Sequence, residues 1–572
     1  MKINDLNWKI GAEAGEGVMV TGLIFAKTCA NMGLKIFGYP EYPSRIRGGH
    51  NCYQVRVRDN NTTTVESKID ILIALNTETF ELHQGELHPE SIVVIDEKEK
   101  TDTFNYSRFF KVPMEQLAID AGGKITKNNV SLGVTFAMLN LPVDFILKTM
   151  QSVFKDKGEK ILEMNTKAVL AGYNYTKEHF KYNFPFKLEP KGESPRYVVT
   201  GNEAIAIGAV KAGLKLYAAY PMTPASSILH FLAPLARDYR ILVKHTEDEI
   251  AAILTAIGAN YAGVRAMAAT SGGGFSLMVE ALGMAAITET PLVIAECQRP
   301  GPSTGMPTWT EQGDLRFVMH ASQGDFVRIV LSPGDVGEAY HLTQLAFNLA
   351  EKYQIPVIIL SDKLLSESHD TIQNFQSLDI HVERGKRLTD VPEDYKRYDL
   401  SIADGISYRA FPPSPNGMHL ANSDEHDEYG LVSEESEMRN EMQNKRFKRL
   451  EMIKNDTPPP VFYGKKDADI SFVSFGSTKN AILRAMELLE TEGISCNYLH
   501  CLCPMPLDVQ AFKNFIKNSK KLICIENNYT GQFASVLQEN LCMEINERLL
   551  KSDGRPFFPD EIVSFVKQKL GV

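Results

Sequence analysis

The chain is 572 residues long and sets 61 Lys and Arg against 71 Asp and Glu, a formal charge of −10. That balance argues against the basic face of a nucleic-acid binder, while 44% hydrophobic and 23% charged residues are ordinary for a globular protein with substantial cores. The length predicts about three domains.

The opening residues MKINDLNWKIG lack a basic stretch followed by an apolar one, so no secretory signal is expected. No apolar run approaches the ~20 residues that cross a bilayer. Eight cysteines are scattered without a CxxC, which predicts reduced thiols in a cytoplasm. An iron–sulfur cluster asks for about four thiolates, usually in tight spacing, and none is expected within this chain.

Residues 1–190 read as an α/β domain. A short strand at Trp8–Ile10 leads through GAEAGEGV into a helical pattern ending near Leu34. Ile71–Leu75 and Ile92–Ile95 are continuously apolar, as parallel strands buried on both faces are. The glycine-rich turn offers backbone N–H groups to an anion at a helix start. Its spacing is not GxGxxG, and no acidic residue ends a second strand about 20 residues on, so a plain NAD site is not expected. In EYPSRIRGGHN (41–51), Arg45 and Arg47 are two apart and would share a side of an extended segment. Two guanidiniums beside a Gly pair can clamp a carboxylate or phosphate; a solvated loop is the plainer use of the same residues.

PFKLEPKGESPR (185–196) reads as a linker, and residues 195–375 as a second α/β domain. Ligands of doubly wound sheets lie beyond the carboxyl ends of strands. The strand candidate Leu216–Ala219 ends in YPMTP, where Pro221 and Pro224 flank Thr223, placed to hydrogen-bond a small polar substrate. HTEDEIAA (245–252) puts Glu247, Asp248 and Glu249 at a helix start. The helix dipole accounts for such acids, and a buried carboxylate doing proton work is the other reading; spacing alone does not separate them. SGGGFSLM (271–278) again follows a strand candidate and opens a helix. QRPGPSTGMPT (298–308) then holds Arg299, Ser303, Thr304 and Thr308 in a loop stiffened by three prolines. The planar fork of Arg299 matches a carboxylate, of a substrate or of the protein itself.

Residues 376–460 read as a connector with one amphipathic helix in SEESEMRNEMQNKRFKRLEMIKN. Residues 461–572 read as a smaller α/β domain with strands at Ile470–Phe475 and Leu522–Ile525.

YPMTPASS, EDEIAA, TSGGGFSLM, QRPGPSTGMPTWTEQGDL, DEHDEYG and ENNYTGQ, in that order, resemble the 2-oxoacid:ferredoxin oxidoreductases. The resemblance is closest to the alpha subunit of the 2-oxoglutarate members, in the form with a gamma domain fused in front. GAEAGEGV and YPSRIRGGHN resemble the gamma-domain signature, and DGRPFFPDEI the end of a transketolase-like C-terminal domain. Met222, Gly273 and Glu16 replace the usual isoleucine, proline and glutamine of these motifs.

The resemblance implies three α/β domains: a Rossmann-like gamma domain, a thiamine-diphosphate pyrimidine-type domain and a transketolase C-terminal-like domain. It implies oxidation of 2-oxoglutarate with coenzyme A to succinyl-CoA and CO2, two electrons passing to ferredoxin, or the reverse carboxylation, as in a reductive TCA cycle. Glu249 matches the glutamate that hydrogen-bonds the aminopyrimidine of thiamine diphosphate and promotes ylid formation. Tyr220 and Pro221 belong to the same cofactor-facing region. Arg299 and Thr308 would hold the 1-carboxylate and oxo end of the substrate, with catalytic Thr223 beside them, and Arg45 would contact the distal carboxylate.

The GDG…NN motif for the diphosphate is missing: Gly324-Asp325 is followed by Phe326, and Asn527-Asn528 lies far away. By the resemblance, the diphosphate, Mg2+ and a [4Fe-4S] cluster belong to a separate beta subunit in an (alpha-beta)2 heterotetramer. No metal site is assigned to this chain, and neither nucleic acid nor membrane is expected as a partner. Pyruvate or branched-chain 2-oxoacids are the alternative substrates. A non-catalytic CoA- or nucleotide-binding assembly protein is the alternative of another class; it would keep the glycine loops and have no use for Arg299.

Overall fold

The continuous apolar runs become inner strands of three sheets in the computed structural model, which describes residues 2–45, 48–59, 64–192 and 196–571. The chain divides into two compact units. One comprises Met1–Thr200, Ser368–Asn374 and Phe558–Val572; the other comprises Gly201–Glu367 and Phe375–Phe557.

The first unit is built on an eight-stranded mixed sheet. One half is parallel: Phe109–Val112, Leu87–Asp96, Ile69–Ala74 and Asp5–Glu13. Ile69–Ala74 is buried along its whole length, as its unbroken apolar run requires. The expected short strand at Trp8–Ile10 extends over nine residues. His50–Arg58 pairs antiparallel with Asp5–Glu13, Lys35–Glu41 pairs antiparallel with His50–Arg58, and His369–Ile372 and Tyr197–Thr200 complete the edge. The EYPSRIRGGHN stretch is thus the end of a β-hairpin. Trp8, Phe25 and Phe136 pack together in the core, Phe136 edge-on to Phe25, and Trp8 Nε1 donates to Thr135 Oγ1 at 3.1 Å. Phe186–Lys187, within the expected linker, pairs with Lys2–Ile3, and Lys191 N donates to Met32 O.

The second unit holds two sheets. Six parallel strands run in the order Leu242–His245, Leu216–Ala219, Ala266–Thr270, Leu292–Gln298, Pro356–Asp362, Ile329–Leu331. Five more run Val461–Gly464, Cys496–Cys501, Ile470–Phe475, Leu522–Glu526, Arg548–Leu550, with only the first antiparallel to its neighbour. Core residues of both sheets, including Phe275, Ile294, Phe475 and Phe533, form one cluster.

The expected single amphipathic helix of the connector is two helices, Ser436–Lys448 and Leu450–Asp456. The inward side of the first is mainly cationic rather than apolar: Met442, Lys445 and Arg446 are buried. Lys445 Nζ and Arg449 Nη2 meet the fully buried Glu289 carboxylate at 2.5 and 2.6 Å. Long aliphatic stems fill the space while the heads pair, which lets a run this polar dock. Among the described residues no helix is long and apolar enough to cross a membrane.

Candidate active site

The carboxyl ends of three adjacent strands of the six-stranded sheet carry the residues of interest. After Leu216–Ala219 the chain turns through Tyr220, Pro221, Met222 and Thr223, with a cis peptide bond between Thr223 and Pro224. Buried Asn202 pins this turn, donating from Nδ2 to Pro224 O at 2.8 Å and to Ser227 Oγ at 2.7 Å. After Leu292–Gln298 comes Arg299, whose Nη1 donates to the main-chain carbonyl of Thr223 at 2.6 Å. Among the described residues Arg299 makes no ion pair within 4 Å, so the salt bridge to a protein carboxylate is not formed and most of its five N–H donors are uncommitted. Asp314 supports its charge from further off, against the burial that lowers its pKa.

The third strand, Ala266–Thr270, leads into helix Gly272–Ile287. Facing it, helix Glu249–Tyr261 begins at Asp248, whose Oδ1 caps Ala251 N at 2.7 Å. The three acids of HTEDEIAA therefore divide their roles. Glu247 is exposed, Asp248 is the cap, and Glu249 is turned inward with 3% exposure. Glu249 Oε1 is buried without a hydrogen-bond partner among the described residues. Burial, helped by the neighbouring Asp248, raises its pKa. Gly274 makes the room: a Cβ there would stand 2.6 Å from Oε1. Thr270 Oγ1 lies against the same position and reaches Met222 Sδ at 3.9 Å, linking this corner to the YPMTP turn.

Of the loop hydroxyls, Thr308 is buried with Oγ1 unpartnered among the described residues, while Ser303 and Thr304 are exposed and add no enclosed donor. Tyr220 is half exposed and sets its ring edge-on to His245, centroids 6.2 Å apart; Pro221 is partly buried. Arg45 is exposed in the hairpin loop of the other compact unit, and Arg47 lies outside the described residues.

Sequence reasoning passed over an acidic group behind Arg299. Asp314 lies over the start of helix Gly272–Ile287, against Gly272, and burial pushes its carboxyl up to about 6. Burial and Asp314 push Glu311 up to about 7. Glu296, fully buried, is raised well above the usual range by burial, then by Asp314 and Asp362. Glu296 and Asp362 stand on adjacent strands two residues out of register, Gln298 facing Asp362. The one available signal was an acid inside the otherwise apolar strand Leu292–Gln298.

Known proteins share this framework. Residues 7–175 match the family model described as pyruvate ferredoxin/flavodoxin oxidoreductase. Residues 207–445 match that of pyruvate flavodoxin/ferredoxin oxidoreductase, thiamine-diphosphate-binding, and 463–566 the transketolase C-terminal domain. The alpha subunit of 2-oxoacid:ferredoxin oxidoreductase from Saccharolobus solfataricus is 34% identical across 98% of this chain and 97% of its own length. The chain belongs to the 2-oxoacid:ferredoxin oxidoreductases. Within that family, the 2-oxoglutarate synthase subunit KorA of Methanothermobacter marburgensis is 35% identical, covering 64% of this chain and 97% of its own. The solved 2-oxoglutarate:ferredoxin oxidoreductase from Magnetococcus marinus, with 2-oxoglutarate, coenzyme A and succinyl-CoA bound, superposes with a TM-score of 0.93 at 32% identity, covering 99% of this chain and all of that one. As an oxidoreductase of this family, the chain carries Glu249, Arg299 and Thr308 on the segment matched by the thiamine-diphosphate-binding model.

Proposed function

We propose that this chain is the alpha subunit, with the gamma domain fused in front, of a 2-oxoglutarate:ferredoxin oxidoreductase. It takes part in CoA-dependent oxidative decarboxylation of 2-oxoglutarate to succinyl-CoA and CO2, two electrons going to ferredoxin, or in the reverse reaction. The observation that carries the reading is a set of uncommitted polar groups at one end of one sheet: Glu249 Oε1 and Thr308 Oγ1, both buried and unpartnered, and the open fork of Arg299. Buried polar atoms left without partners point to a ligand that completes them. The bound 2-oxoglutarate of the Magnetococcus enzyme supports the choice of oxoacid.

The orphaned Glu249 Oε1 fits a thiamine diphosphate aminopyrimidine, and when bound that cofactor supplies the carbanion chemistry of decarboxylation. Glu249, inclined by burial to keep its proton, holds a proton at Oε1 for a pyrimidine ring nitrogen. Tyr220 and Pro221 line the cofactor side of the turn. Arg299, fixed through Thr223 O, aims its remaining N–H groups at the substrate 1-carboxylate, and Thr308 donates from Oγ1 to the keto oxygen. Thr223 stands beside them, and Arg45 contacts the distal carboxylate. Holding the reacting carbonyl in place is what these side chains contribute. The diphosphate, Mg2+ and [4Fe-4S] cluster belong to a beta subunit in a cytoplasmic (alpha-beta)2 assembly, a reading supported by the name alpha subunit that the relatives carry.

The test is anaerobic purification with the co-purifying partner, followed by CoA-dependent viologen reduction with 2-oxoglutarate, pyruvate and 2-oxoisovalerate. Fast reduction with 2-oxoglutarate alone supports the proposal. Preference for another oxoacid keeps the mechanism and removes Arg45 from it. No reduction with any, from a complex holding cluster and cofactor, overturns it.

A further inference from the structure

His50, Cys52 and His83 meet in the first unit, and none of them is among the residues assigned to substrate or cofactor above. His50 and Cys52 are two apart on strand His50–Arg58 and so project from one face. Gly11 pairs with Cys52 on the neighbouring strand, and a Cβ at Gly11 would stand 2.8 Å from His50 Cε1, so the missing side chain is what admits the imidazole. His83 ends helix Thr77–His83 and brings Nε2 to 2.9 Å from His50 Nε2. One nitrogen of each histidine and the Cys52 sulfur lie within 4.8 Å of one another.

We propose that these three side chains bind a divalent cation of the zinc class, with Glu41 as the fourth ligand. Zinc bonds of about 2.0–2.1 Å to nitrogen and 2.3 Å to sulfur in a tetrahedron put ligand atoms roughly 3.3–3.8 Å apart. The imidazoles need only open by a few tenths of an ångström. Glu41 faces Cys52 across the hairpin, and Cys52 Sγ lies 3.0 Å from its Oε2. Two nitrogens, a thiolate and a carboxylate suit zinc rather than magnesium, which takes oxygen ligands.

The surroundings match that assignment. His83 Nδ1 lies 2.6 Å from Glu86 Oε1, so its Nδ1–H donates outward and the Nε2 lone pair faces the cluster. A carboxylate behind a ligating histidine is the usual support for a bound metal. Buried Lys9 donates to Glu86 Oε2 at 2.6 Å. Four protein ligands close the coordination shell, which marks a structural site rather than a catalytic one. Glu41 and His50 flank the hairpin loop, so the ion would clasp that loop at its base.

The experiment uses the assembled enzyme, stripped with a chelator and given one equivalent of Zn2+. Zinc content is measured by mass spectrometry and the coordination by X-ray absorption at the zinc edge, which the iron of a partner does not obscure. The expected result is one zinc per chain, with one sulfur near 2.3 Å and three lighter ligands. Cys52→Ala should remove the sulfur scatterer. Glu86→Gln, which leaves every ligand in place, should weaken affinity roughly ten- to hundredfold. Failure to take up zinc stoichiometrically, a first shell without sulfur, or a spectrum unchanged in Cys52→Ala would overturn the proposal. Should the alanine variant not assemble, the wild-type spectrum and the Glu86→Gln affinity decide the matter.

Discussion

The side chain that Gly274 lacks would place its first carbon 2.6 Å from Glu249 Oε1. The first turn of one helix therefore keeps a glycine where Thr270 Oγ1, nearer still, and the carboxylate of a facing helix occupy the space. Gly273, next to it, has nothing closer than Ser303 O at 3.9 Å. Gly274→Ala is expected to displace Glu249 and lower kcat roughly a hundredfold, the scale set by misplacing a catalytic group by about 1 Å. Gly273→Ala should retain turnover. Steady-state viologen reduction by both variants, with partner assembly checked by gel filtration, tests the pair.

Arg299 should be irreplaceable in shape as well as charge. Loss of a charge-assisted hydrogen bond is worth about 1.5–3 kcal/mol, so Arg299→Ala should lower kcat/KM roughly ten- to hundredfold with the complex intact. Arg299→Lys should recover little, because a single ammonium cannot hold Thr223 O and a carboxylate with one planar fork. Unchanged turnover in Arg299→Ala would discard the carboxylate assignment.

The acids behind Arg299 should make stability depend on pH. Glu311 rises to about 7 and Asp314 to about 6 on folding. Between the ordinary carboxylate pKa and these values the folded chain binds more protons than the unfolded one, so stability falls as pH rises through that window. Glu311→Gln should therefore raise the melting temperature more at pH 8 than at pH 5. An equal shift at both would show that Glu311 titrates normally.

Glu289 is the counter-ion of two buried cations, Lys445 and Arg449. Their attraction holds its carboxyl far below the usual range, although burial opposes this, and Lys445 falls to about 8 because its own burial outweighs that attraction. Glu289→Gln leaves both cations buried without a counter-charge and should cost about 3–5 kcal/mol. Denaturant unfolding of the chain, read as a shift in midpoint, measures it.

The strands came through the sequence where burial on both faces made them unbroken runs, as at Ile69–Ala74. Lys35–Glu41 and His50–Arg58 did not, because KIFGYPE and HNCYQVRVR mix polar with apolar residues and their glycine–arginine loop drew attention to itself instead. The motif residues Thr223, Glu249, Arg299 and Thr308 were legible by type, since prolines and glycines frame them. Spacing alone did not say which acid of HTEDEIAA points inward, because that depends on where the helix starts and on Gly274; the family resemblance was what singled out Glu249. Asn202 and Asp314 were invisible for a related reason: each acts on a segment far from it along the chain, and no local pattern records such a partnership.

The strand His369–Ile372 sits between Lys35–Glu41 and Tyr197–Thr200 in the first unit's sheet, and helix Pro559–Leu570 belongs to the same unit. Covalent order and folded modules therefore do not coincide. A fragment cut after residue 200 would leave with Lys35–Glu41 as a raw edge, Tyr197–Thr200 without the strand it pairs with, and Ser67 without its hydrogen bond to Asp560. Open strand edges recruit other chains. To become an independent gene product, this module would first have to acquire its own hem: a charge, a proline or a second copy along that border.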